Sequence, residues 1–419
     1  MYIKISERFL TLCIIVILAL NSILPGFLGS TFFFNTTRIA AFLLIVLLVF
    51  NSRNILHWGI IPVIILYIVF CHNNIYQQLG NIRFTQYSIC MGIVLVSAVS
   101  DSDWPETFLK VIAGIGFVHA VSTIALRFLP GVYYGVIAPL YPSNYSRLVE
   151  WYAEGCMPGL AHHYSFNGIY LTVGLYASVA LAMKYFDKYR IKVFIFPLIF
   201  MVALLLTGKR AHLFFSLIVL YAFYYLYLSN DKRTRALKMI GIALIVLFIG
   251  AVVVLYAPSL STAFVRLKDS LEDGDVTNNR TYFWALAYML FLEHPIFGIG
   301  WGQFLDYSEL MLNYRANVHN NFLQLLCETG VIGFSVYMLW IVFYFIRSIW
   351  ILVKIRKNNN DVREIVYIAF SFMYQLFFIM YCFTGNPLCE KDTFIPYFLS
   401  CAIVNYEYRK VMRNQIHES

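Results

Sequence analysis

The chain has 419 residues, 60% of them hydrophobic and 13% charged, with a formal net charge of +9. A soluble domain carries about 25% charged residues, so this balance excludes an ordinary water-soluble globule and points to lipid as the surrounding medium. The positive charge would suggest nucleic acid in a soluble protein; here the cytoplasmic Lys/Arg excess of membrane proteins accounts for it, and no nucleic-acid partner is expected.

A membrane helix needs about 20 mainly apolar residues. Such windows fall, in chain order, at about 9–28, 33–51, 55–71, 84–100, 107–128, 164–184, 191–208, 210–229, 237–257, 331–353, 363–384 and 391–407. The first follows Lys4 and Arg8 and lacks a clear small-x-small cleavage site, so it reads as a retained insertion helix. The predicted fold is all-α: a single integral membrane domain over 1–419 with about 12 transmembrane helices.

The alternation of sides tests that count. With the N-terminus in the cytoplasm, the inward connections hold Arg53; Lys184, Lys188, Arg190 and Lys192; Lys232, Arg233, Arg235 and Lys238; and Lys354, Arg356, Lys357 and Arg363. The tail adds Arg409, Lys410 and Arg413, which puts both termini inside. The acidic segment Asp101 to Glu106 is the exception.

Two outward connections, 129–163 and 257–330, are too long for simple connectors and are expected to contain short helices and the chemistry. Eight cysteines show no CxxC spacing, and no zinc-site spacing suggests a metal. Cys156, Cys327 and Cys389 fall on the outward side; free thiols are favoured over a disulfide.

Positive charge on the outward side runs against the topology rule and so invites a functional reading. Lys209 and Arg210 sit in the short turn Thr207-Gly208-Lys209-Arg210 between two spans. Lys209 fits either snorkelling to lipid phosphate or ligand binding. Arg210 opens a helix, where its planar fork and the unpaired N–H groups suit a phosphate. In the second loop, Asn278-Asn279-Arg280 opens an apolar-periodic helix, with either Asn as N-cap and Arg280 either solvated or ligand-binding. Gly298-Ile299-Gly300-Trp301-Gly302 follows Pro295. A compact turn is favoured there over a phosphate cradle, because no strand precedes it.

His319 is expected to open an amphipathic helix that ends at Gly330. A helix start keeps a histidine neutral, as an acceptor or general base for a sugar hydroxyl. Glu328 is a competing base or a structural partner. Arg315 is a further substrate-binding candidate. In the first loop, Arg147, Glu150 and His163 lie among Tyr145, Trp151 and Tyr152, a composition that suits either sugar binding or an interfacial helix.

A lone Arg at an outward turn, then Arg…Trp, Glu-His-Pro, Gly-x-Gly-x-Gly-x-Phe, His-Asn-x-x-Leu and Glu-x-Gly over about 204–340, resembles the O-antigen ligase and O-antigen polymerase superfamily of bacterial membrane glycosyltransferases. Thr384-Gly385-Asn386-Pro387 is similar to its polymerase-like members. The resemblance implies a GT-C-like, metal-independent enzyme without cofactor in the bacterial inner membrane, with its active site on the periplasmic face. The implied donor is an undecaprenyl-diphosphate-linked oligosaccharide. Arg210 and Arg280, with Lys209, would hold the diphosphate, and His319 would bind or deprotonate the acceptor hydroxyl. This chain has Lys209 where the family often has Ser.

A repeat-unit polymerase, whose acceptor is a second lipid-linked glycan, is the first reading. A ligase using lipid A core is the second, and a protein-directed oligosaccharyltransferase the third. A chain-length regulator is a candidate partner. A lipid-linked oligosaccharide flippase is the alternative from another class. Its charged sites would lie near the midplane between repeats, and no repeat is visible.

Overall fold

The computed structural model describes residues 7–28, 103–189, 192–227, 280–358 and 362–418, with the single positions 39 and 272. Expected spans 33–51, 55–71, 84–100 and 237–257, and the Asn278/Asn279 cap, lie outside the described residues. Every regular element among the described residues is helical.

The principal helices are α1 (Glu7–Ile23), α2 (Trp104–Phe128), α3 (Tyr145–Ala153), α4 (Tyr164–Tyr189), α5 (Lys192–Leu206), α6 (Arg210–Tyr227), α7 (Arg280–Glu293), α8 (Phe304–Leu312), α9 (Asn321–Asn358), α10 (Val366–Cys382) and α11 (Lys391–Glu418). Among the described residues, three segments are long and apolar enough to cross a membrane: Trp104–Phe128, Tyr164–Tyr185 and Asn321–Arg356. Arg8–Ile23, Ile195–Leu206, Arg210–Leu226 and Val366–Cys382 are shorter apolar helices. The twelve-span count is thus met by helices at eight of its positions, of which three have full spanning length.

Helix α4 is the axis of the bundle. Its apolar window is 72% buried, against 39% for the windows of α2 and α9, which turn their other faces outward. Close backbone approach sets that position. A Cβ on Gly116 of α2 would lie 2.8 Å from Gly174 Cα of α4, and one on Gly174 would lie 2.5 Å from the Phe200 ring of α5. Small residues at a crossing let membrane helices gain packing contacts where the hydrophobic effect between helices is weak. Large apolar side chains such as Phe196, Leu198, Leu339 and Ile346 are exposed, as suits a surface that meets lipid tails.

Helix ends sort by charge at one pole. Glu106, at the start of α2, receives Lys184 Nζ of α4 at 2.5 Å, Lys110 Nζ at 2.9 Å and the Tyr185 hydroxyl at 2.8 Å. At this pole Tyr406 of α11 donates to Asp103 at 2.8 Å, and Lys410 donates to Glu364 at 2.8 Å. Asp103 and Glu106 of the acidic segment therefore meet basic and phenolic groups from α4 and α11, which offset their charge.

The opposite pole gathers the start of α4, the α5–α6 turn, the end of α10 and the start of α11. Here a polar network fastens four helices. Asp392 of α11 accepts from Tyr170 of α4 at 3.1 Å and from Lys391 at 2.7 Å. Lys391 also donates to the Asn21 carbonyl of α1 at 2.9 Å, and His119 of α2 pairs with the Ile23 carbonyl at 2.9 Å.

The second loop carries its own small core of Leu286, Ala287, Leu290, Ile299, Phe304, Val318 and Cys327. The cysteines described, including Cys156, Cys327 and Cys389, are free thiols.

Candidate active site

Three chain segments bring the expected cations to the pole that carries Asp392. The first is the α5–α6 turn. Thr207 ends α5, its hydroxyl accepts the Lys209 N–H at 3.2 Å, and Gly208 takes φ +68°. A left-handed residue lets the chain reverse within three residues, at no cost to a glycine. Lys209 and Arg210 thereby stay at the rim of the bundle, half-buried, with Arg210 in the first turn of α6.

The second segment is α7. Arg280 and Trp284 stand one turn apart and therefore on one face. Trp284 Nε1 donates to the Val318 carbonyl at 3.1 Å, and Arg280 Nη1 donates to the Thr384 carbonyl at 2.9 Å. Helix α7 is thus pinned on one side to the His319 segment and on the other to the turn after α10.

The third segment holds His319, which does not open a helix as expected. Helix α9 begins at Asn321, and Asn320 caps it, its Oδ1 accepting the Leu323 N–H at 3.2 Å. His319 precedes the cap with φ +57°, a conformation uncommon for a residue with a Cβ. Neighbouring contacts hold that strain in place. Gln324 Oε1 accepts the Val318 N–H at 3.3 Å, its Nε2 donates to Asn317 at 2.9 Å, and the Asn321 side chain accepts the Leu388 N–H at 3.1 Å.

Electrostatic coupling links the three segments. Burial is the main cause that lowers the Arg280 pKa, and the charge of Arg210 lowers it further; Tyr381 and Tyr164 act the other way. His319 is pushed down to about 4, first by burial and then by Arg280 and Lys209. The imidazole is therefore neutral at pH 7. Converging cations cost free energy in a half-buried place, and an anion among them would offset that cost.

The glycine-rich run is a structural clasp, as favoured above. Ile299 N–H bonds to the Cys327 carbonyl and Gly300 N–H to the Glu328 carbonyl, each at 3.0 Å, while Val331 N–H bonds to the Pro295 carbonyl at 2.9 Å. These amides face protein carbonyls, so they do not form a phosphate cradle. Gly330, at φ +61°, separates the 321–329 helix from the apolar stretch that follows within α9.

The remaining candidates divide. Glu328 is buried inside the clasp and accepts from Gln324 at 3.1 Å. Arg315 is exposed and bridges Asp306 at 2.6 Å and Glu309 at 2.7 Å, which ties it to the surface of α8. Arg147 and Glu150 are exposed on α3. His163 accepts the Ser165 N–H on Nδ1 at 2.9 Å and so caps α4. It also packs between Trp151 and Tyr164, with ring centroids at 4.2 and 4.5 Å. Tyr164 lies within electrostatic reach of Arg280, so one aromatic wall of the first loop borders the cations. Tyr164 and Tyr381 carry no motif of their own, and folding alone reveals them.

Cations and a neutral imidazole from three segments of a helical chain thus gather at one pole. Residues 194–338 match the family model described as O-antigen ligase, and this match supports the O-antigen ligase/polymerase superfamily for the chain. The matched stretch includes Arg210, Arg280 and His319 and ends before Thr384. No curated protein matches the chain. Three described segments long and apolar enough to cross a membrane agree with an integral membrane protein. Among the described residues, no group of three or more His, Cys, Asp or Glu side chains is placed to hold a metal ion.

Proposed function

We propose that the chain is a repeat-unit polymerase of the bacterial inner membrane. It would transfer a glycan from undecaprenyl diphosphate to a hydroxyl of another lipid-linked glycan at the periplasmic face. The observation that carries this reading is the mutual coupling of Lys209, Arg210, Arg280 and His319, which come from three separate segments.

In this mechanism the acceptor oxygen attacks the anomeric carbon. Its proton passes to the neutral imidazole of His319, the carbon–oxygen bond to the diphosphate breaks, and polyprenyl diphosphate leaves. Direct displacement inverts the anomeric centre. Arg210 and Arg280 offset the charge that grows on the leaving group, and preorganised charge of this kind is usually the largest catalytic contribution. A free imidazole with a pKa of about 4 is a weak base. A diphosphate bound beside His319 would counter Arg280 and Lys209, which act second to burial in depressing the imidazole, and so raise its proton affinity as the reaction begins.

The pole with Lys184 and Lys410 would then face the cytoplasm. A ligase that uses lipid A core shares all of this donor chemistry, and the description of the matching family favours keeping it as the second reading. Purified protein supplied with lipid-linked repeat units as both donor and acceptor tests the proposal. Chain extension without nucleotide or ion gradient supports the polymerase. Transfer only when lipid A core is added supports the ligase. Transbilayer movement without bond formation overturns both.

A further inference from the structure

Tyr381, outside the family-matched stretch, is built into the anchor that holds Arg280. It lies in the last turn of α10. Its carbonyl accepts the N–H groups of Gly385 at 2.8 Å and Thr384 at 3.1 Å, and the Thr384 carbonyl in turn takes Arg280 at 2.9 Å. The position of the Arg280 guanidinium is therefore set by the same turn that sets the tyrosine.

The ring is fixed on several sides. It stacks on Phe377 with centroids 5.7 Å apart and meets His212 edge-on at 4.7 Å. His212 stands two residues after Arg210 on α6, so the ring packs against the helix that presents one cation and beside the turn that holds the other. Gly385 leaves the room this needs. A Cβ there would lie 2.5 Å from Tyr381 Cε2, 2.6 Å from Cζ and 3.0 Å from the hydroxyl oxygen. The hydroxyl thus lies along the Thr384–Gly385 backbone, within electrostatic reach of Glu390 first and then of Arg280 and Tyr164. A phenol is an amphipathic group that finds a hydrogen-bond partner when its ring is buried. Tyr381 as a whole is only 3% exposed.

We infer that the Tyr381 hydroxyl is a further diphosphate-binding group. It donates a hydrogen bond to a non-bridging oxygen of the leaving diphosphate held by Arg210 and Arg280. The inference rests on the proposed donor chemistry and adds to it a neutral donor. A neutral donor can be placed among converging cations without adding to their repulsion. Its contribution grows as the anion forms, because hydrogen bonds to charged acceptors are roughly twice as strong as neutral ones.

Two variants and two measurements test it in the full-length protein. Tyr381→Phe keeps the ring and removes only the hydroxyl; Gly385→Ala keeps the hydroxyl and displaces it. The first measurement is turnover with a lipid-diphosphate glycan donor, and the second is binding of inorganic pyrophosphate and of undecaprenyl diphosphate. Removing one donor aimed at developing charge lowers kcat by about 100-fold. For Tyr381→Phe we expect a fall of that order, weaker binding of both diphosphates, an unchanged KM for the acceptor and an unchanged thermal midpoint. Gly385→Ala should follow it in kcat. Wild-type kcat and diphosphate affinity in Tyr381→Phe overturn the inference, as does a fall that only tracks lost thermal stability. If the wild-type protein binds no diphosphate and turns over no such donor, the proposed function itself fails, and the inference fails with it.

Discussion

Arg280 Nη1 donates to the carbonyl of Thr384, a residue 104 positions later in the chain, at 2.9 Å. A guanidinium tied by one nitrogen to the end of α10 keeps its other N–H groups for a planar anion. Lysine has a flexible stem and no fork, so it cannot hold the Thr384 carbonyl and grip a phosphate pair in the same fixed geometry. Arg280→Lys should therefore lower transfer by about 100-fold while the protein still folds. Arg280→Ala should lower it further and reduce stability by roughly 1.5–3 kcal/mol through the lost charged hydrogen bond. Turnover on lipid-linked donor, read beside a thermal melt, checks both. Wild-type turnover in Arg280→Ala removes Arg280 from the site.

His319 predicts a pH signature. Its folded-state pKa of about 4 lies below the ordinary 6.5, so the unfolded chain binds more protons between those values. Stability that depends on the neutral imidazole is fully present above about pH 6.5 and is lost as pH falls toward 4, with little further change below. The loss attributable to His319 has an upper bound of about 3 kcal/mol. His319→Asn, which tolerates the positive φ, should flatten this dependence and abolish transfer without unfolding the protein. Bound diphosphate should also move the acid limb of kcat to higher pH than that of kcat/KM, because the first reports the complex and the second the free enzyme. Coincident limbs would show that the anion does not sit beside the imidazole.

The glycine clasp should be intolerant of any side chain. A Cβ on Gly298 would lie 2.4 Å from the Glu328 backbone, and one on Gly330 would lie 2.2 Å from the Ile296 carbonyl oxygen. Both residues have positive φ, which alone costs an alanine about 1–3 kcal/mol. Gly298→Ala and Gly330→Ala should each release the second loop and give faster proteolysis there than in wild type. Unchanged cleavage rates would mean the clasp does not hold the loop.

The Asp392 network should behave as a buried ion pair. Asp392→Ala removes the carboxylate that the Lys391 ammonium and the Tyr170 hydroxyl share, while Lys391 keeps the Asn21 carbonyl. Breaking such a pair costs about 3–5 kcal/mol when burial is complete, and less here because Lys391 keeps 20% of its side-chain surface. The paired change Lys391→Met with Asp392→Leu should recover most of that stability. A double variant no more stable than Asp392→Ala would assign the network a role other than charge pairing. Thermal melts in one detergent compare all three.

Much of the bundle was legible beforehand because apolar runs of about 20 residues carry one meaning in lipid. Helices α2, α4 and α10 begin and end within a few residues of the expected windows. The exception at Asp101 to Glu106 was not interpretable from charge pattern, since its explanation is Lys184 and Tyr185 on a distant helix. The start of α9 was misplaced because a histidine before an N-cap looks the same in sequence as a histidine at one. Only the φ of +57° tells them apart.

The sequence by itself determined that the chain carries apolar runs long enough for a bilayer and that cations stand at a helix turn and in a long loop, which singles out Arg210, Arg280 and His319 as candidates. Hydropathy and misplaced charge are properties of single residues and short windows, so they survive without a fold. Tertiary structure alone decided that these three segments meet and that Thr384 anchors Arg280. It also decided that the glycine run spends its amides on protein carbonyls, and that Tyr381 stands beside the cations. Those facts concern pairs of residues up to 104 positions apart, and only packing brings such pairs together.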